Sequence, residues 1–136
     1  MASALRSLGL LAVAEGNLPL AEAQLGEALA QYTASGRVDG LGPTHLGLAQ
    51  VAMARGDWPA AAEQIRTALG YAVQLDLTAQ GLDGLWRWGE YLWRVGRTAE
   101  AEELWAYVLG HQNTSGFLAR EIQAFAAVQG GGGAGE

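Results

Sequence analysis

"GDWPAAAEQIRTALGYA", residues 56–72, begins with a helix-breaking turn and continues as a helix start. Pro59 suits the first helical turn, where its missing N–H costs no hydrogen bond. Trp58, Ala61, Ile65, Ala68 and Leu69 then draw one apolar stripe along a helix. The same arrangement lies forty residues to either side. Gly16 is followed by Leu18, Ala21, Leu25, Ala28 and Leu29, and Gly96 by Thr98, Ala101, Trp105, Val108 and Leu109. A small-xxx-large-xx-small-Leu order that recurs three times is an internal repeat, and the repeat decides the fold.

Each glycine is preceded by a second apolar helix. Leu5, Leu8, Gly9 and Ala12 mark the first, His45, Leu48, Ala49 and Ala52 the second, and Leu85, Trp88, Gly89 and Leu92 the third. A glycine or alanine beside a large apolar residue lets two helix axes approach closely, so each unit reads as a helical hairpin. The glycine ends helix A, Trp58 fills the crotch of its hairpin, and Ala61 and Ala68 let helix B lie close to helix A. Pro19 opens helix B of the first copy as Pro59 does in the second, and Thr98 is placed to cap the third. This pattern is packing chemistry.

The expected class is all-α. Helices are predicted at about 2–15, 19–35, 42–55, 59–76, 80–95 and 98–110, with a capping helix at about 115–128. Repeats then span about 2–41, 42–81 and 82–114, with the cap at 115–129. "GGGGAGE", residues 130–136, has no side chains to pack and reads as a flexible tail.

Leu8-Gly9 with Ala21 and Leu25, Leu48-Ala49 with Ala61 and Ile65, and Trp88-Gly89 with Ala101 and Trp105 resemble the tetratricopeptide repeat pattern of Leu-Gly followed by Ala-xxx-Phe. The period of forty exceeds the family's usual length of about 34, and the closing proline is missing. The extra residues fall in "LAQYTAS", 29–35, and "LGYAVQLDL", 69–77, and lengthen helix B. The "GRVDG" linker, 36–40, and the closing segment "LWAYVLGHQNTSGFLAREIQAF", 104–125, are similar to long repeats at the C-terminus of bacterial STAND and LuxR-type signalling regulators. The resemblance implies a right-handed solenoid of three hairpins plus a C-terminal cap. It also implies a cytoplasmic module that binds proteins and works without a cofactor.

Composition narrows the function from another side. The chain has 136 residues, a net charge of −6 and no cysteine, and all eight basic residues are arginines. They are scattered without a basic stripe, so direct nucleic-acid binding is disfavoured. The missing lysine excludes a P-loop and a Schiff base, and the missing cysteine excludes disulfides and thiol chemistry. No apolar run approaches the roughly 20 residues that span a bilayer. The N-terminal stretch with Arg6 and the apolar residues from Leu8 to Ala14 has the flavour of a secretory signal, but the repeat accounts for the same residues.

No constellation points to catalysis or to a metal. His45 takes a core-facing position and His111 a helix end, neither with a ligand partner at metal spacing. Glu100, Glu102 and Glu103 sit in a first helical turn, where anions favour the helix dipole.

The candidate binding surface is the concave groove lined by the first helices. In the third repeat Trp86, Glu90, Trp93 and Arg94 fall on or near that face; their counterparts are Leu46, Gln50 and Met53 in the second repeat, and Arg6, Leu10 and Val13 in the first. Trp58, Trp88 and Trp105 face the hairpin cores, whereas Trp86 and Trp93 either offer rigid rings to a partner or are covered by a neighbouring helix or a second copy. The groove has none of the lysines and asparagines that clamp a peptide carboxylate in well-known tetratricopeptide proteins. Three readings therefore stand: docking of a protein or peptide, self-assembly that buries the tryptophan face in a homo-oligomer, and sensing of a small ligand. The first helix is apolar nearly all round, so something should cover it, either upstream repeats or a second copy of the chain packed end to end or side by side.

Overall fold

A computed structural model describes residues 2–111 and 114–134, and every regular element among them is helical. Three hairpins follow one another. The first pairs α1 (Ala2–Ala14) with α2 (Leu18–Ser35), the second α3 (Leu41–Ala54) with α4 (Trp58–Gln74), and the third α5 (Thr78–Arg94) with α6 (Thr98–Gly110). A single further helix, α7 (Gly116–Ala134), closes the array. Within each hairpin the two helices pack along their length, and α1, α3 and α5 also touch in a row. The molecule is a helical repeat solenoid, as the period predicts.

The hairpin turns repeat as closely as the sequence does. Gly16, Gly56 and Gly96 all adopt the left-handed backbone, with φ of 79°, 74° and 93°. That conformation ends a helix at little cost only in glycine. One residue later Asn17 accepts a hydrogen bond from Leu20 N and Asp57 accepts one from Ala60 N, so both cap a helix B. The third copy departs from this. Thr98 is already the first helical residue, and Arg97 stands at the cap, where it makes no capping bond. Its guanidinium instead reaches forward to Glu100, at 2.7 and 2.6 Å, and holds the first turn by an ion pair.

Small residues set the distance between the helices. A Cβ on Gly9 would lie 2.7 Å from Leu25 Cγ, and one on Gly89 would overlap the Trp105 ring. Ala21, Ala61 and Ala101 are wholly buried on the facing helices. Successive hairpins dock through the same two positions of helix A. Leu48 and Val51 of α3 pack on Ala12, Ala21 and Leu25 of the first hairpin. Trp88 and Tyr91 of α5 pack on Leu46, Ala49, Ile65 and Ala68 of the second. At the end of the array Leu118 and Ile122 of α7 share a core with Ala101, Trp105 and Val108 of the third.

The two linkers differ from each other, and α7 differs from the sequence reading. The second linker uses Asp76, with φ of 56°, where the first uses Gly36 at 73°. Helix α7 runs through residues 130–133 to Ala134, although the glycines predict a flexible tail there. Residues 135 and 136 lie outside the described ones. No helix among the described residues is long and apolar enough to cross a membrane.

Candidate protein-binding groove

A cavity of about 180 Å³ opens on the row formed by the first helices of the three hairpins. Val13 comes from α1, Gln50, Met53 and Ala54 from α3, and Arg87, Glu90 and Arg94 from α5. No second helix of any hairpin contributes. The floor is apolar, through Val13 and Met53, and one wall is charged.

That wall is built around Glu90, a carboxylate only 8 % exposed. Arg87 lies one turn before it and Arg94 one turn after, so all three share a face of α5. Arg87 Nη1 donates to Oε1 at 3.0 Å; Arg94 donates to Oε2 from Nη2 at 3.2 Å and from Nε at 3.3 Å. Each guanidinium also lies against an aromatic ring, Arg87 5.1 Å from the Trp86 centroid and Arg94 5.4 Å from that of Phe125. The arginines are thus fixed on two sides, by charge and by stacking. Two guanidiniums to one carboxylate leave a net positive charge in the groove of a chain whose net charge is −6. The Nη1 edge of Arg94 has no partner among the described residues, and it can meet a carboxylate from outside.

Of the residues singled out from sequence, Val13, Gln50, Met53, Glu90 and Arg94 meet in this groove. The others do not. Leu46 is buried in the core between the second and third hairpins. The Arg6 guanidinium lies 5.8 Å from the centroid of the Tyr32 ring, in the first hairpin. Trp86 is 4 % exposed and lies under α7, with its ring edge-on to Phe125 at 5.4 Å and tilted against Trp105 at 5.7 Å. Trp93 is half-buried, stacked on Trp105 at 5.6 Å. The chain's own last helix supplies the cover that the self-assembly reading sought in a second copy. Arg87 is the charged groove residue that the sequence reading missed. The signal was an opposite charge three residues before Glu90 on the same predicted helix.

His45 makes a structural contact: its Nδ1 lies 2.6 Å from Gln64 Oε1, and its ring stacks on Tyr71. Among the described residues no three acidic or histidine side chains are grouped to hold a metal ion. A second cleft, of about 370 Å³, forms where the last turns of α4 and α6 meet the start of α5. Leu69, Val73, Leu82, Leu85 and Tyr107 make it apolar, and Asp76 lines it as well.

Residues 42–67 and 89–106 match the tetratricopeptide repeat family. The first segment covers α3 and the first half of α4, and the second runs from the groove-lining end of α5 into α6. The match supports a tetratricopeptide repeat protein. Tetratricopeptide repeats generally mediate protein–protein interaction, and the groove described above lies on the helices that such a repeat calls A. No curated protein and no solved structure matches the chain.

Proposed function

We propose that this tetratricopeptide array is a non-enzymatic docking module that takes a protein or peptide segment in the groove lined by Gln50, Met53, Arg87, Glu90 and Arg94. The observation that carries the reading is the pair of arginines held on Glu90 above an apolar floor. Such a groove suits a segment that inserts one apolar side chain and places a carboxylate next to it. The long repeats and the "GRVDG" linker support a place in a cytoplasmic bacterial signalling protein of the STAND or LuxR type.

A random peptide library displayed against the chain tests this. The expected result is enrichment of peptides with an acidic residue beside an apolar one, and loss of their binding in Arg94→Ala. Enrichment that survives both Arg94→Ala and Gln50→Ala, or no enrichment at all, contradicts the groove as the site.

A second reading, sensing of a small ligand, rests on the apolar cleft between α4, α5 and α6, where Asp76 provides a lone carboxylate with no side-chain partner among the described residues. A ligand with an apolar body and a cationic head fits that lining. It predicts a rise in melting temperature with apolar amines that disappears in Asp76→Asn.

A further inference from the structure

The two junctions between hairpins occupy equivalent places in the array, and one is filled where the other is hollow. At the first junction, around the start of α3, Tyr71 of α4 takes up the space. Its ring stacks on His45 at 6.0 Å and packs on the cluster that contains Tyr32 and Leu41. Forty residues on stand the counterparts of these four residues: Ala72 for Tyr32, Gly81 for Leu41, Leu85 for His45 and His111 for Tyr71. Ala72 and Gly81 face each other, since a Cβ on Gly81 would lie 3.7 Å from that of Ala72. They make a floor with almost no side chain on it. The second helix is also shorter in the third hairpin. Helix α4 continues past Gly70 to Gln74, whereas α6 stops at Gly110, so the turn that carries Tyr71 has no helical counterpart. The cleft of about 370 Å³ between α4, α5 and α6 lies where these differences fall.

We infer that this cleft binds an arylalkylamine, with its planar ring between α4 and α6 and its cationic amine at Asp76. The inference rests on the small-ligand reading of the same cleft and names the class of ligand. The ring is argued from the first junction, where the group that this architecture accommodates at the equivalent place is the Tyr71 ring. At the second junction Tyr107 stands at the rim, 60 % exposed, with its ring 6.0 Å from that of His111. Both rings line the cleft, and a ligand ring can stack on them. The walls are apolar through Leu69, Leu82 and Leu85. The rim is more apolar than its counterpart too: Val73 stands in the place of Thr33, and Leu77 in that of Arg37. A space that is emptied and lined with apolar side chains at once favours an apolar occupant over water.

The charge of the ligand follows from Asp76. It stands at the linker position that Gly36 holds at the first junction, and it keeps the left-handed backbone there, with φ of 56°. An L-residue adopts that conformation at a cost, which glycine avoids. The position thus carries a carboxylate at the mouth of the hollow junction and no side chain at the filled one. Asp76 is the acidic side chain of the lining, and neither arginine nor lysine lines the cleft. A carboxylate ligand is repelled by Asp76, whereas an ammonium is attracted by it and by a chain whose net charge is −6.

Isothermal titration calorimetry of the full chain with phenethylamine, beside hexylamine and phenethyl alcohol, tests this. The expected result is saturable binding of phenethylamine, about fivefold tighter than hexylamine, which is the usual reach of one ring contact. Phenethyl alcohol, which has the ring without the charge, should also bind more weakly. Three variants locate the site. Gly81→Leu supplies the side chain that Leu41 brings to the first junction, and should abolish binding with helix content unchanged. Tyr107→Leu, at an exposed position, should remove the preference for the ring and keep the preference for the amine. Asp76→Asn should make phenethylamine bind no better than the alcohol. If either control matches phenethylamine on the parent chain, the arylalkylamine is overturned and the small-ligand reading stands. Absence of binding by all three compounds overturns both. Binding that is unchanged in Gly81→Leu and in Tyr107→Leu alike overturns the cleft as the site.

Discussion

The two ends of this array are built from the same unit and finish in opposite ways. At the C-terminal end α7 lays Leu118 and Ile122 over the last hairpin, and Ile122 and Val108 have no exposed surface at all. At the N-terminal end Leu8 and Leu11 are about half exposed, although their counterparts Leu48 and Val51 belong to the core. The same leucine is core in one repeat and surface in another. In a solenoid the burial of a residue is decided by whether a neighbour follows, because each repeat contacts only those beside it.

The largest expected effect follows from that contrast. Ile122→Ala should lower stability by about 3 kcal/mol, the usual cost of emptying a fully buried site. Leu8→Ala in the dilute chain should stay within about 0.5 kcal/mol, as exposed positions do. Urea titrations of both variants measure the difference, and comparable losses would erase the distinction between the ends. The Ile122→Ala protein should also shift tryptophan emission to the red, since Trp86 and Trp105 lie under α7.

Next in size is the wall of the groove, midway between the ends. Arg87→Ala combined with Arg94→Ala leaves the Glu90 carboxylate nearly buried and unpaired, and should cost about 2 kcal/mol. Glu90→Gln added to that background should recover most of the loss, since the stranded charge is what it removes. A double variant as stable as the parent would show that the ion pairs do not hold the groove.

A smaller effect compares the two linkers. Asp76→Gly should stabilise by somewhat less than about 1 kcal/mol, because an L-residue in the left-handed region carries strain that glycine lacks. Gly36→Asp should do the reverse at the equivalent place. Thermal melts of the pair show whether the linkers are equivalent in energy as they are in position.

The smallest effect belongs to a carboxyl near the closing helix. Partial desolvation raises the surface carboxyl of Asp83 above its usual range; Arg87 opposes the shift and Glu121 of α7 adds to it. The folded chain therefore holds this proton more tightly than the unfolded one, so the residue's contribution to stability is best in acid. It falls as pH rises above 3.8 through the folded value. Asp83→Asn should be slightly more stable than the parent at neutral pH, with the difference vanishing in acid. Melting temperatures across the pH range check the sign.

The hairpins were readable because their signals are local. A glycine at a turn, a proline in a first helical turn and an alanine that faces a large residue each act over a few positions. The groove was half readable, and the reason is geometric. Gln50, Met53, Glu90 and Arg94 lie on rows of helix A that face the open side, whereas Arg6, Leu46 and Trp86 lie on a neighbouring row that faces helix packing. Both rows mix apolar and polar residues, and a period of 3.6 cannot tell solvent from a neighbouring helix. Trp86 was decided by Phe125, which is remote in sequence and reaches it only because α7 folds back. The Thr98 cap failed for a simpler reason: the helix starts one residue early, and Thr98 lies inside its first turn.

The central claim is that the array is closed at α7 and open at α1, and the rate of thiol labelling tests it most directly. Leu8→Cys and Ile122→Cys each place a single thiol in a chain that has none. The account predicts that position 8 is labelled at nearly the rate of a free thiol. Position 122 should be labelled slowly at every concentration, only through opening of α7. Equal rates at the two positions in the folded chain would contradict it.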